Sequence, residues 1–239
     1  MAEPVAPNPE LESPLPGTST TDAPSPRSQV KRVAARASYD PKVIEAILDE
    51  GFICHVAFRD GDQPVCIPTV YGRDGRSLIL HGSKASRMMR ALRDGAEACI
   101  TVTHVDALVL ARSAFHHSVN FRSVVVFGKA ELVEDAGEKL AALQAVVEHA
   151  IPGRWADVRG PNGQEFHQTM VLRFSLDEAS AKIRTGDPID DEADYDLTCW
   201  AGVIPLARGT QVAIDDQRLG AGITPPDYVT DYRRPGEVR

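Results

Sequence analysis

Apolar residues recur along this chain with two periods. Val43, Ile44, Ile47 and Leu48 fall on one helical face, between an Asp40-Pro41 start and Gly51. This predicts a helix across residues 41–50. Strand-like runs follow at 52–59, 65–71 and 78–81, with Asp60-Gly61-Asp62 and Asp74-Gly75 as turns. The period then returns to that of a helix. Ala85, Met88, Met89 and Leu92 share one face, and Ser83 is the expected N-cap. Further strands are predicted at 98–103, at 107–111 and along 121–132, the last bending at Gly128. A helix over 136–150 has Leu140, Leu143, Val146 and Val147 as its spine, and residues 164–168 form a short helix. Strands at 170–176 and 181–184 and an apolar run at 200–206 complete the pattern.

About seven strands in hairpin order with inserted helices indicate a mainly β fold, a small β-barrel with peripheral helices. Several strands are apolar on both faces. A barrel strand covered outside by a helix or a second subunit has that character. Residues 1–30 are rich in Pro, Ser and Thr without periodic apolar positions, so they are expected to be disordered. Residues 31–206 form the domain, and 207–239 are expected to be an extended C-terminal tail.

Composition narrows the function classes. The 239 residues are 43% hydrophobic and carry a net charge of −8, which argues against a general nucleic-acid binder. No apolar run approaches the roughly 20 residues of a membrane span, and no secretory signal pattern is seen, so a cytoplasmic protein is expected. Cys54, Cys66, Cys99 and Cys199 lie far apart without a CxxC pair, and no metal site is indicated. The first three sit in strand-like runs and are expected to be buried, reduced thiols.

The strongest candidate chemistry lies in residues 78–93, LILHGSKASRMMRALR. A strand runs into a Ser-capped helix with Lys84 and Arg87 at its start. Free N–H groups, the helix dipole and two cations make an anion site suited to phosphate. The plainer alternative is a solvated helix start that binds nothing, and local chemistry leaves both open. His116-His117 can share one metal only on a loop, since neighbours on a strand face opposite ways. His55 reads as a satisfied barrel histidine, and Met88 and Met89 as core. Arg112-Ser113 can approach a cofactor or merely begin a loop. The acidic run 187–196 reads as solvated.

The motifs IPTVYGRDG (67–75), LHGSKASRMM (80–89), ARSAFHHSVNFRSVVVFGKAELVED (111–135) and WAGVIPL (200–206) occur in an order that resembles the pyridoxamine phosphate oxidase-like, FMN-binding split-barrel superfamily. The resemblance is greatest to its branch of 5-nitroimidazole resistance (Nim) proteins and flavin-nucleotide-binding relatives. It implies a homodimer with FMN sites at the subunit interface. The implied phosphate and ribityl contacts are His81, Gly82, Ser83, Lys84, Ser86 and Arg87. Backbone at Pro68, Thr69, Val70 and Tyr71 would meet the ring edge, with Arg122, Ser123 and Trp200 contributing nearby. The implied activity is a flavin-dependent oxidoreduction of a small molecule, a nitroreduction of Nim type among the expectations. His81 is the catalytic candidate, as proton donor. Haem held by His116, His117 or His81, or a deazaflavin, in place of FMN, and binding without turnover, are the alternatives the superfamily offers.

Overall fold

The structure is a computed structural model that describes residues 22–207 and 209–235. The expectation of disorder for residues 1–30 therefore lies, up to residue 21, outside the described residues. Beyond that point the expectation fails. Ser28 is buried, and Arg27 pairs with Glu97 and Glu178, so this stretch is held against the domain.

The elements run in order as β1 (Ala37–Ser38), α1 (Pro41–Glu50), β2 (Ile53–Asp60), β3 (Gln63–Val70), β4 (Gly72–Asp74), β5 (Ser77–Ser83) and α2 (Arg87–Arg93). There follow β6 (Glu97–Leu110), β7 (Ser118–Lys129), β8 (Glu131–Leu132), α3 (Ala136–Ala150) and α4 (Gly163–Gln168). The chain ends with β9 (Thr169–Ser175), β10 (Ala179–Arg184), β11 (Gly202–Pro205) and α5 (Asp227–Thr230). One sheet has the order β1-β10-β7-β6-β2-β3 with β11 added on β6, and a second has the order β4-β5-β9-β8. All pairings are antiparallel. This is a split barrel with peripheral helices.

The main core lies inside the barrel, where Leu78, Leu80, Met89, Leu92, Ile100, Val102 and Phe174 meet. A smaller core lies outside the four-stranded sheet. There α3 lays Ala142 and Val146 on Ile79, Val133 and Val171. This explains the apolar run of β5: Leu78 and Leu80 face inward, while Ile79 faces α3. A Cβ at Gly72 would come within 2.7 Å of the Val146 backbone, so glycine lets α3 seat on β4.

Several boundaries differ from expectation for tertiary reasons. Residues 98–103 and 107–111 are halves of one strand, β6, interrupted by a bulge between Val105 and Ala107. The halves have different neighbours: β2 pairs with Ala98 to Thr101, and β11 pairs with Ala107 to Leu110. β7 starts earlier than expected, at Ser118, and ends at Lys129, one residue past Gly128. The cap of α2 is Ser86, not Ser83, because Ser83 remains in β5, paired with Thr169 of β9. Ala85 is consequently exposed and outside the helix. Leu140 is largely exposed too, and Lys139, Ala142 and Val146 form the buried side of α3.

Candidate functional site

β3 is joined through Tyr71 to β4, the strand that pairs with β5. The chain leaves the larger sheet at Val70 and enters the smaller one at Gly72, opposite Ile79. β3 pairs with β2 alone, so its other edge presents main-chain groups from Pro68, Thr69 and Val70 without a strand partner among the described residues. Two positions after Ile79 on β5 is His81, which therefore faces the α3 side of the sheet. Its Nδ1 is buried and has no hydrogen-bond partner among the described residues. Burial lowers its pKa below the usual imidazole value, so the ring is neutral at pH 7. Gly82 faces inward, and a Cβ there would come within 3.0 Å of Met89 Cγ.

The β5–α2 junction is a tight polar turn. The Ala85 N–H donates to Ser83 Oγ (3.1 Å), the Ser86 N–H donates to Ser83 O (2.9 Å) and the Lys84 N–H donates to Gln168 O (3.0 Å). Ser86 caps α2 by accepting from the Met89 N–H at 3.5 Å. The N–H groups of Arg87 and Met88 make no hydrogen bond among the described residues. Lys84 and Arg87 extend from this turn, Arg87 at 3.6 Å from Asp60. Lys139 of α3, which sequence reasoning passed over, is buried nearby. Its Nζ donates to Phe166 O and Thr169 O (both 2.6 Å), and the charge of Lys84 acts on it. A lysine at a helix position carries no sequence signal for this; only the packing of α3 on β9 reveals it.

The other expected residues lie elsewhere. The Tyr71 side chain is fully buried in the barrel, its hydroxyl donating to Leu48 O at 2.5 Å. Arg122 is engaged with Glu50 and Asp106, which raises its pKa. Ser123 Oγ donates to Lys182 O at 3.3 Å. Trp200 lies beside β6 and β11. Arg112 and Ser113 begin a loop pinned by Asp190, whose carboxylate accepts from the Arg112 and Ser113 N–H groups at 2.9 and 3.4 Å. The acidic run is thus solvated except at Asp190, which is buried. His55 is exposed rather than a barrel histidine, because Cys54, Val56 and Phe58 take the inward positions of β2. Cys66 is exposed by the same alternation on β3, whereas Cys54 is buried and its thiol is pushed up to about 12.

A second surface combines a histidine with exposed apolar side chains. Val119, Leu108 and Ile204 face one another across β7, β6 and β11. All three are exposed. In the next row Leu110 is opposite Gly202, and the Trp200 ring lies over Gly202, 2.8 Å from where a Cβ would be. His117 continues this row from the β7 side, two residues before Val119. Its Nδ1 is 2.9 Å from Ser113 O. His116 instead approaches Asp191 at 3.4 Å and packs edge-on against Phe115.

The family profile described as pyridoxamine 5'-phosphate oxidase matches residues 40–183. The flavocytochrome Anf3 from Azotobacter vinelandii is similar in structure, with a TM-score of 0.85 at 39% identity, over 89% of this chain and 99% of that one. The FAD and heme binding protein from Mycobacterium smegmatis matches with a TM-score of 0.79 at 33% identity, over 82% of this chain and 96% of that one. A putative 5-nitroimidazole antibiotic resistance protein from Bacteroides thetaiotaomicron shares the fold, with a TM-score of 0.53 at 23% identity, over 62% and 86% of the two chains. Comparison with the curated proteins finds no match. Among the described residues no helix is long and apolar enough to cross a membrane.

Proposed function

The chain belongs to the pyridoxamine 5'-phosphate oxidase family, and we propose on that premise that it binds a flavin nucleotide and acts as a flavin-dependent oxidoreductase. The observation that carries this reading is His81 Nδ1, buried and without a partner among the described residues, two residues before the β5–α2 turn. An unsatisfied buried polar atom costs about 1–3 kcal/mol, which a bound polar ligand offsets. The residues fit a flavin. The main chain of Pro68, Thr69 and Val70 suits the hydrogen-bonding edge of the ring. Lys84 and the free N–H groups of Arg87 and Met88 suit its phosphate. Bound there, a flavin supplies hydride or single-electron transfer. His81, neutral at pH 7, holds a proton at one ring nitrogen and accepts at the other, so it can orient the flavin through hydrogen bonds; burial disfavours the imidazolium that proton donation would require.

The phosphate placed here is the one FMN and FAD share. FMN is the cofactor we propose; FAD is bound by one of the similar proteins. The spectrum of the purified protein tests the reading, and chromatography of the released cofactor separates FMN from FAD. A protein that takes up neither flavin, and is colourless but binds a deazaflavin, overturns it. Reoxidation of the reduced flavin by a nitroimidazole tests the Nim-type activity. We also propose a homodimer, which the family resemblance implies; sedimentation tests it.

A second prosthetic group, haem, is favoured by a separate observation. The apolar grid around Leu108 carries a histidine, and the two similar structures at 39% and 33% identity are named as a flavocytochrome and as an FAD and heme binding protein. A Soret band after reconstitution with hemin tests this reading independently of the flavin.

A further inference from the structure

Iron in haem takes four nitrogens from the macrocycle and needs from the protein one neutral imidazole nitrogen with a free lone pair. A histidine suited to this role has its other ring nitrogen fixed by a hydrogen bond, which sets both tautomer and orientation. It also needs apolar neighbours for the macrocycle.

His117 meets each condition. Its Nδ1 lies 2.9 Å from Ser113 O. A backbone carbonyl only accepts, so Nδ1 must carry the proton. In the neutral ring Nε2 then has its lone pair free, and the side chain is exposed. The loop that supplies Ser113 O is itself fixed, since Asp190 holds the Arg112 and Ser113 N–H groups. Beside His117 stand Val119, Leu108 and Ile204 in one row, and Leu110 with Trp200 in the next. Three strands about 4.8 Å apart and two rows of side chains make an apolar patch of the dimensions of a macrocycle. Trp200 is 66% exposed, an unusual state for its ring unless something covers it.

Five of the other six histidines can be compared directly and fit less well; His167 lies on the short helix α4, away from β6, β7 and β11 in sequence. The Nε2 of His116 is directed at Asp191 and its ring is packed on Phe115. His81 has its unpartnered nitrogen on β5 beside the turn where the flavin phosphate is proposed. His104 and His149 use Nε2 to reach the carbonyls of Ile47 and Gly51. His55 has no hydrogen bond among the described residues to fix its ring.

We infer that His117 is the axial ligand of a haem iron, through Nε2, with Leu108, Leu110, Val119, Ile204 and Trp200 packing the macrocycle. This rests on the haem reading above but adds a residue and a place to it. The step is a ligand addition, with Nε2 donating a lone pair to iron and no electron transferred.

The test is hemin titration of the full-length, flavin-loaded protein and of His117→Ala, His116→Ala and His117→Gly variants, followed in the Soret region. Flavin content is measured on the same samples. Wild type and His116→Ala should give the same Soret maximum. His117→Ala should lose at least the roughly 10- to 100-fold in affinity that removal of even an outer-shell partner costs. It should keep its flavin, and free imidazole should restore the wild-type spectrum to His117→Gly. Leu108→Asp, which leaves His117 in place, should also weaken uptake. A wild-type Soret band unchanged in His117→Ala overturns the ligand assignment alone. A wild-type protein that takes up no hemin overturns the haem reading with it, while flavin content judges the flavin site separately.

Discussion

Two helix ends in this molecule face opposite problems and are treated in opposite ways. The C-terminus of α1 exposes the carbonyls that a helix cannot satisfy internally. Each is answered by a side chain from a distant part of the chain. His104 Nε2 donates to Ile47 O (2.9 Å), the Tyr71 hydroxyl to Leu48 O (2.5 Å) and His149 Nε2 to Gly51 O (2.8 Å). Arg234 donates to Asp49 O, Glu50 O and Gly51 O, at 3.2, 2.7 and 2.6 Å. Arg122 adds an ion pair to the Glu50 side chain. Cations at a helix C-terminus also oppose the negative end of the dipole. The N-terminus of α2 is treated otherwise. Ser86 takes one N–H, two remain unanswered, and His81 Nδ1 nearby is unpartnered. The closed end fixes the fold; the open end is where a ligand has groups left to bind.

The comparison breaks if the closed end proves dispensable. Arg122→Ala should have the largest effect on stability, because it leaves Glu50 and Asp106 without their shared cation. Both carboxylates are only partly buried, so the loss should be about 2–3 kcal/mol rather than the full cost of a stranded buried charge. Urea unfolding measures it. The folded fraction should retain its flavin, since the guanidinium is already spoken for; loss of flavin with unchanged stability would return Arg122 to the cofactor site.

Tyr71→Phe isolates a single bond of the same cap. It leaves Leu48 O buried without its donor, for about 2 kcal/mol by the same measurement. A neutral result would mean that water replaces the hydroxyl, an outcome Gly51 argues against: a Cβ there would sit 2.7 Å from the Tyr71 Oη and 2.9 Å from Val102.

Acid tests both ends together. Burial lowers the pKa of His149 at the closed end and of His81 at the open one. The unfolded state therefore binds protons first as pH falls. Stability should be fully present above the unfolded value of about 6.5 and be lost as pH falls through the lowered folded values. Unfolding midpoints at pH 7.5 and 5 should differ, and the difference should shrink in His81→Ala. With flavin bound, the His81 contribution should change while that of His149 stays.

Much of this division was legible in the sequence, and the failures share a cause. Asp40-Pro41 marked the start of α1 because capping is local. The existence of most strands, their hairpins and the barrel class followed from apolar alternation and turn residues. What was not legible required knowing which strand lies beside which. Ser83 and Ser86 are both good caps, and only the pairing of Ser83 with Thr169 decides between them. Residues 104–106 fell between two expected strands, yet they belong to β6, whose bulge lets Asp106 reach Arg122. His104 and His149 carried no motif, because what they bind is main-chain carbonyl brought close by the fold. Arg122 stood in a cofactor-like motif, and only its neighbours Glu50 and Asp106 show that its charge is used elsewhere.

The smallest expected effect on stability is also the one that sharpens the comparison most. Lys84→Ala with Arg87→Ala should change unfolding by no more than about 0.5 kcal/mol, the range of surface substitutions that remove no buried contact. Both residues are exposed, and the Arg87–Asp60 pair is a loose 3.6 Å. The same pair of changes should weaken flavin binding, and more so at low salt than at high, because exposed charges act on a phosphate through a screened field. Equilibrium dialysis at two salt concentrations reads this directly. Cap residues at α1 should show the reverse pattern, a large loss of stability with little dependence of flavin affinity on salt. If the double variant instead unfolds readily while holding its flavin, then the open turn is structural after all, and the two helix ends do not differ in the way their hydrogen bonds suggest.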